Sequence, residues 1–221
     1  MIAPMPRSLA PALLWLALLV PGLAVGGFAL RLVTGDPAQV PYELRVNLLH
    51  APVAFVLHTS FGGLAMLLAP WQLLPGLRRR WPGFHRWGGR LYVGCCLISG
   101  IAAYPVAFGT VAGPVAAAGF AAMATAWLGA TALAWQAIRA RRVAEHRRWM
   151  IRSFALTFAA VTLRALVAVS QLAGWDFTVS YVAAAWLCWL PNLALAWWFT
   201  RAPVRPAVAP AAATEPAPLR R

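Results

Sequence analysis

The sequence predicts an all-α fold: an integral membrane bundle of about six transmembrane helices, with both termini in the cytoplasm. Three observations predict it: the apolar composition, six long apolar stretches, and an uneven distribution of arginine. Of the 221 residues, 62% are hydrophobic and only 11% are charged, whereas soluble domains are about 45–50% apolar and about 25% charged. A water-soluble chain of this length could not bury so much apolar surface, and the excess is therefore expected to face lipid.

Six apolar stretches are long enough to cross a membrane, which takes about 20 residues of helix. The length of the chain fits one domain, and we assign residues 1–200 to a single transmembrane domain. Residues 201–221 are rich in Ala and Pro and lack periodicity, which predicts a disordered tail. The predicted spans are 9–30, 48–74, 91–108, 115–138, 154–172 and 177–200.

The first stretch differs from a secretory signal peptide in two ways. Its charged start consists of Arg7 alone, and its apolar run is longer than the about 7–15 residues of a signal h-region. We therefore predict an uncleaved first span. Gly22 and Gly26 lie four residues apart in it, so they share one helix face and predict close packing against another helix.

Arginine supplies all 19 basic residues, and its distribution sets the predicted orientation. Sixteen of the 19 lie before the first span, in the segments 75–90 and 139–152, or after the last span. Because cytoplasmic loops collect positive charge, these segments are expected on the cytoplasmic side. The net charge of +14 does not indicate a nucleic-acid partner, because the arginines flank spans and form no soluble basic face. Membrane lipids with anionic headgroups are the expected partner.

Two costly side chains are expected inside the hydrocarbon: His58 in the second span and Arg164 in the fifth. Ionisable groups at that depth mark functional sites, and none of the predicted spans contains a carboxylate to pair with Arg164. Counted from the outer side, the two residues lie at similar depth, which predicts a polar cavity in the outer half of the bundle. A guanidinium without an acid suits a carboxylate, a phosphate or a quinone oxygen. The alternatives are a neutral His58 bonded to a backbone carbonyl, and an Arg164 that reaches outward to Asp176.

Two segments with nearly the same residues are predicted as loops at the cytoplasmic ends of the third and fifth spans. They read His-Arg-Trp-Gly-Gly-Arg at 85–90 and His-Arg-Arg-Trp-Met-Ile-Arg at 146–152, a faint sign of repeated helical hairpins. They serve either as interfacial anchors that bind lipid headgroups, or as one shared inner site if packing brings them together. The candidate ligand-binding residues of such a site are His85, Arg90, His146 and Arg152.

Motifs that carry catalysis or bind a metal are missing from the sequence. There is no phosphate-binding glycine loop, no H-E-x-x-H and no G-x-S-x-G, and no serine or cysteine nucleophile beside a base is evident. We therefore predict no catalytic residue, no metal site and no obligatory cofactor, and the chain is not expected to be an enzyme. One b-type haem held between His85 and His146 is an alternative, because the two histidines are expected at matched depth.

The pattern that runs from His58 to Arg164 resembles a bacterial membrane family catalogued as domain of unknown function 2306. The pattern includes Pro-Trp-Gln at 70–72, the arginines at 78–80, and the two His-Arg segments. The resemblance covers roughly residues 48–172 and implies a multipass protein of the bacterial inner membrane, with no activity attached. It also implies that six residues belong to the family pattern: His58, His85, Arg90, His146, Arg152 and Arg164.

Three functions are consistent with these observations. The first is a membrane protein that binds or transports a small anionic or quinone-like ligand through its His and Arg side chains. The second is a redox protein with one b-type haem at His85 and His146. The third is a structural or accessory subunit whose loops anchor it to lipid.

Overall fold

The computed structural model describes residues 9–34, 36–40 and 42–201. Within these ranges the chain is all helical and contains no strand, as predicted. From residue 202 onward, the predicted disordered tail falls outside the described residues. The helices are α1 (Leu9–Arg31), α2 (Tyr42–His50), α3 (Pro52–Gln72), α4 (Pro75–Arg80), α5 (Pro82–Phe108), α6 (Pro114–Arg139), α7 (Val143–Thr157), α8 (Ala159–Leu172), α9 (Phe177–Leu187) and α10 (Leu190–Thr200), and a 3-10 turn at Leu32–Thr34 follows α1.

Six helical segments are long and apolar enough to cross a membrane, which confirms the predicted number of spans. Helices α1, α3, α5 and α6 form one span each, whereas α7 with α8 and α9 with α10 form the fifth and sixth. Successive spans run in opposite directions, so the ends of α3, α6 and α10 lie beside the starts of α5 and α7. We call this side of the bundle the Arg-rich end, because it carries the arginines of segments 78–90 and 139–152.

Proline marks the first turn of α3, α5 and α6, at Pro52, Pro82 and Pro114. Its missing N–H costs nothing there, and its fixed φ fits the helix.

Helix α5 begins nine residues before the predicted third span, and α7 begins at Val143, eleven residues before the predicted fifth. The two His-Arg segments are thus helical, and the prediction of loops is wrong. Apolar composition indicates where a helix enters the hydrocarbon, which is not where the helix begins. A helix can begin earlier, because the long side chains of Arg and Trp reach the membrane surface from its first turns.

The range predicted for the second span, 48–74, contains a boundary between two helices. Helix α2 ends at His50 and α3 begins at Pro52, because proline cannot donate the next helical hydrogen bond and disfavours helical geometry at the residue before it. That residue, Ala51, has φ −144° and ψ 71°. His50 and His58 both fall within the predicted range 48–74. They lie on two different helices, α2 and α3.

The fifth and sixth spans are each interrupted, at Phe158 and at Cys188–Trp189. In lipid, backbone groups freed by a break must find partners on neighbouring helices. Asn192 supplies such partners: its amide Nδ2 donates to the carbonyl oxygen of Ala155 at 3.3 Å and to the hydroxyl of Thr162 at 2.9 Å. One side chain of α10 therefore holds the sixth span against the break in the fifth.

Close packing of α1 against α3 depends on glycine. A Cβ atom on Gly26 would lie 3.0 Å from the carbonyl oxygen of Gly63, and one on Gly63 would lie 2.9 Å from the carbonyl oxygen of Gly26. Gly22, one turn earlier, faces Met66 of α3. The small-residue face predicted for the first span is confirmed, and it brings α1 close enough to form one wall of an internal cavity.

Candidate functional site

A cavity of about 180 Å³ lies inside the bundle and is lined by residues of all the helices from α1 to α9 except α4. His58 and Arg164 both line it. Much of its remaining surface is apolar, with aromatic and thioether side chains such as Phe120, Trp127 and Met66. The other polar side chains of the lining are Asn47, Thr59, Ser99, Thr110, Thr157 and Tyr181.

His58 is fixed by α5, the helix that packs most extensively on its own helix α3. Its Nδ1 lies 3.0 Å from the carbonyl oxygen of Ser99, and the Ser99 hydroxyl donates to the backbone carbonyl of His58 at 2.9 Å. Gly62 leaves room for this approach, because a Cβ there would lie 2.9 Å from the Ser99 hydroxyl oxygen. A carbonyl only accepts hydrogen bonds, so Nδ1 carries the proton and Nε2 of the neutral ring is an acceptor. His58 therefore has the predicted carbonyl partner and still contributes to the cavity.

Arg164 has no acidic partner within the described residues. Its Nη1 donates to the carbonyl oxygen of Ala160 on its own helix at 2.9 Å. Asp176, the alternative partner, instead accepts from the backbone N–H of Val179 at 2.9 Å and caps α9. Arg164 therefore does not reach outward to pair with Asp176. The ion pair found among the described residues is on the surface, between Arg142 and Glu145 at 2.9 Å.

The cavity brings His58 and Arg164 within electrostatic range of each other, and Tyr181 within range of Arg164. Among the described residues, His58 Nε2 and the remaining guanidinium nitrogens of Arg164 have no hydrogen-bond partner. The pair thus presents a fixed cation with several N–H donors beside an imidazole acceptor.

A second polar cluster, the hydroxyl network, lies next to the cavity. Thr157 is its centre: its Oγ1 lies 2.8 Å from the Tyr92 hydroxyl, accepts from the Trp127 indole N–H at 3.0 Å, and donates to the Ser153 carbonyl at 3.0 Å. The Ser153 hydroxyl lies 3.1 Å from that of Tyr92 and 2.8 Å from that of Thr131. Since Thr157 and Trp127 also line the cavity, the network forms part of its wall.

Sequence reasoning missed the hydroxyl network, although a signal was present. Thr131, Ser153 and Thr157 are hydroxyl residues within otherwise apolar helices, and such residues bond across helices in membranes. Their partners could not be assigned, because Tyr92 lies 61 residues before Ser153 in the chain.

The four predicted inner residues lie at the Arg-rich end but in separate surroundings. His85 lies within electrostatic range of both Arg78 and His146, and Nδ1 of His146 lies 2.9 Å from the carbonyl oxygen of Ala134 on α6. Arg90 is exposed, with its guanidinium carbon 4.8 Å from the ring centre of Trp87. Neither His85 nor His146 lines the cavity that His58 and Arg164 share.

Arg152 is buried and is directed toward α10. Its Nε donates to the Thr200 hydroxyl at 3.2 Å, and its guanidinium lies over the rings of Trp149 and Trp197. The six candidate residues therefore do not form one site. His58 and Arg164 share the cavity, whereas His85 and His146 lie at the starts of α5 and α7. Arg90 is exposed beside Trp87, and Arg152 has aromatic partners of its own.

Gln72, the last residue of α3, is a further unusual feature of the Arg-rich end. Both polar atoms of its amide are buried and lack a hydrogen-bond partner. It packs on Gly88 of α5, where a Cβ would lie 2.6 Å from the amide nitrogen. Among the described residues, no group of three or more His, Cys, Asp or Glu side chains is arranged to hold a metal ion.

Comparison with known proteins places the chain in a family. The family described as predicted membrane protein (DUF2306) matches residues 55–200, which include both residues of the cavity pair and both His-Arg segments. No curated protein and no solved structure matched the chain. The match covers well over half of the 221 residues, and the chain therefore belongs to the DUF2306 family of predicted membrane proteins.

Proposed function

We propose that this protein binds a small ligand in the cavity, through an electron-rich oxygen that Arg164 and His58 recognise together. The observation that carries the proposal is that both residues line one cavity while keeping unused hydrogen-bonding groups. A guanidinium in hydrocarbon without an acid is costly. A ligand oxygen that accepts from it would offset part of that cost.

The chemistry of the lining favours a ligand with a polar head and an apolar body. Arg164 offers N–H donors that suit a carboxylate, a phosphate or a quinone carbonyl. His58 Nε2 accepts from a hydroxyl when neutral, and donates to an oxygen when protonated. The aromatic rings of Phe120, Trp127 and Tyr181 provide flat apolar surface in the same cavity, which suits a ring.

The size of the cavity limits the ligand. Its volume of about 180 Å³ is below the about 300–1,000 Å³ typical of sites for drug-sized molecules. The bound part of the ligand is therefore expected to be about one substituted ring or a short chain with its head group.

A thermal-shift titration tests the proposal. The purified full chain in detergent is heated with duroquinone, benzoate or inorganic phosphate, which represent the three head-group classes, and unfolding is followed by circular dichroism. We expect at least one probe, near 100-fold above its Kd, to raise the Tm by on the order of 5 °C. Arg164→Leu should abolish that rise, whereas Arg31→Leu, which removes an exposed arginine of α1, should retain it.

Two outcomes would contradict the proposal. One is that none of the three probes stabilises the unmodified protein. The other is that a probe stabilises Arg164→Leu as much as it stabilises the unmodified protein, because the recognition would then not depend on the guanidinium.

We also propose that the protein lies in the bacterial inner membrane, with the Arg-rich end in the cytoplasm. The support is the concentration of arginine at that end, which is typical of cytoplasmic segments. Single cysteines at Ala140 and Ala173, introduced after Cys95, Cys96 and Cys188 are replaced by alanine, test this in intact cells. A membrane-impermeant maleimide should label residue 173 and not residue 140, and labelling of both or of residue 140 alone would refute the orientation.

We keep one b-type haem as a second candidate, because His85 and His146 lie at the starts of α5 and α7 and the bond of His146 Nδ1 to Ala134 leaves its Nε2 as a possible ligand. An absorbance spectrum of protein expressed with ample haem tests it. A Soret band that is lost in both His85→Ala and His146→Ala would support it, and a spectrum without that band would exclude it.

A further inference from the structure

Arg152 is the most enclosed charged side chain of the Arg-rich end, with 6% of its surface exposed. Its guanidinium carbon lies 3.7 Å from the ring centre of Trp197 and 4.5 Å from that of Trp149. The two indole rings are nearly perpendicular, at 81°, with their centres 6.1 Å apart. The rings therefore hold the guanidinium from two sides, and such contacts strengthen when water is excluded.

Thr200 fixes the orientation of this guanidinium. The Thr200 hydroxyl donates to the carbonyl oxygen of Ala196 at 2.7 Å, which leaves its lone pairs to accept from Nε of Arg152 at 3.2 Å. With Nε occupied, the edge formed by Nη1 and Nη2 remains. Neither of these nitrogens has a hydrogen-bond partner among the described residues.

Most of the hydrogen-bond donors of Arg152 lack a partner among the described residues. These residues supply it with one hydrogen bond, whereas a guanidinium can donate five. No carboxylate pairs with it in the described part of the chain. Arg148, one helical turn earlier, lies within electrostatic range and adds positive charge to the same place. An anion is the group that would satisfy both arginines.

The other His-Arg segment, at 85–90, shows that the shared residues alone do not produce this arrangement. Arg90 follows Trp87 by three residues, as Arg152 follows Trp149, and each arginine lies over the ring before it. Arg90 is exposed, however, and has one ring beside it. The additional ring and hydroxyl at Arg152 come from α10, which has no counterpart at α5.

We propose that Arg152, held by Trp149, Trp197 and Thr200 and assisted by Arg148, binds a phosphate group at the surface of the Arg-rich end. A planar guanidinium with a free edge accepts two phosphate oxygens in parallel. The site lies level with the end of α10, where Trp rings are at the headgroup level of a membrane. The phosphate can belong to an anionic lipid headgroup or to a soluble phosphate, and the site is independent of the cavity.

Native mass spectrometry of the full chain tests the proposal with two probes. Protein in a neutral detergent is titrated with short-chain phosphatidylglycerol or with inorganic phosphate, and phosphatidylcholine serves as the zwitterionic reference. We expect one phosphatidylglycerol to bind saturably, with Kd at least tenfold lower than for phosphatidylcholine. Saturable binding of inorganic phosphate at similar concentration would instead assign the site to a soluble phosphate.

Matched variants locate the site. Arg152→Gln should raise the Kd for the binding probe at least tenfold, and Arg148→Gln about threefold. Arg90→Gln, which removes the exposed arginine of the other His-Arg segment, should leave the Kd unchanged. If Arg152→Gln fails to fold, two milder variants still test the site. Trp197→Phe keeps an aromatic ring and Arg148→Gln keeps the stacked Arg152, and both should raise the Kd.

Four outcomes overturn the proposal: neither probe binds saturably, a folded Arg152→Gln variant keeps the original Kd, Arg90→Gln weakens binding as much as the other variants, or both Arg148→Gln and Trp197→Phe leave the Kd unchanged. A site that fails these tests is a structural contact between α7 and α10. Because Arg164 is unaltered in every variant, failure here leaves the cavity proposal untouched.

Discussion

Two polar clusters lie side by side in the apolar interior, and they differ in how completely their groups are paired. In the hydroxyl network, Thr157, Ser153, Tyr92, Thr131 and Trp127 supply each other with donors and acceptors. In the cavity, Arg164 uses one donor on its own helix, and His58 leaves Nε2 free. A satisfied network fixes how helices pack, whereas an unsatisfied pair is kept at a cost in stability. The difference supports a structural role for the hydroxyl network and agrees with the binding role that we propose for the cavity pair.

The largest expected effect comes from breaking the network at its centre. Thr157→Val keeps the shape of the side chain, leaves the Trp127 indole N–H without a partner and leaves the Tyr92 hydroxyl with Ser153 alone. A buried unpaired donor costs about 1–3 kcal/mol and a lost hydrogen bond about 1 kcal/mol, so the free energy of unfolding should fall by about 2–4 kcal/mol. Equilibrium unfolding by SDS in mixed micelles measures it. Thr178→Val, at an exposed position of α9, is the control and should change little; a loss of equal size there would remove the distinction.

A gain in stability is expected where a buried polar group has no partner. Gln72→Met replaces an amide, both of whose polar atoms are buried and unpaired, with an unbranched apolar side chain of similar length. Removal of that desolvation cost should raise the free energy of unfolding by about 1–2 kcal/mol. The same SDS titration measures it. A decrease would mean that the amide has a partner, such as a bound water.

The smallest expected effect on stability concerns the cavity pair. Arg164→Leu removes an arginine without an acid from the interior, and should raise the free energy of unfolding by about 1 kcal/mol while it abolishes ligand recognition. A gain in stability with a loss of binding is the signature of a functional site. A loss of more than about 2 kcal/mol would place Arg164 with the hydroxyl network as a structural residue.

The sequence predicted the fold class and the number of spans because both follow from composition and length. It also singled out His58 and Arg164, since ionisable residues within apolar stretches are conspicuous. Helix starts were predicted less well, because Pro82 and Val143 begin helices outside the apolar stretches. The break at Pro52 was missed because the stretch around it remains apolar.

Partners distant in the chain could not be predicted. Ser99 lies 41 residues after His58, and Thr200 lies 48 residues after Arg152. Without knowledge of which helices touch, neither the carbonyl partner of His58 nor the aromatic surroundings of Arg152 could be assigned. The two His-Arg segments look alike in sequence, and the different environments of Arg90 and Arg152 come from α10 alone.

The wall that α1 and α2 contribute to the cavity has a consequence for the family. Val25, Gly26 and Asn47 line the cavity, yet all three precede the matched region, residues 55–200. His58 and Arg164 lie inside that region. The two residues that we propose to recognise the ligand oxygen therefore belong to the region that matches the family, whereas the shape of one side of the cavity depends on residues that precede it.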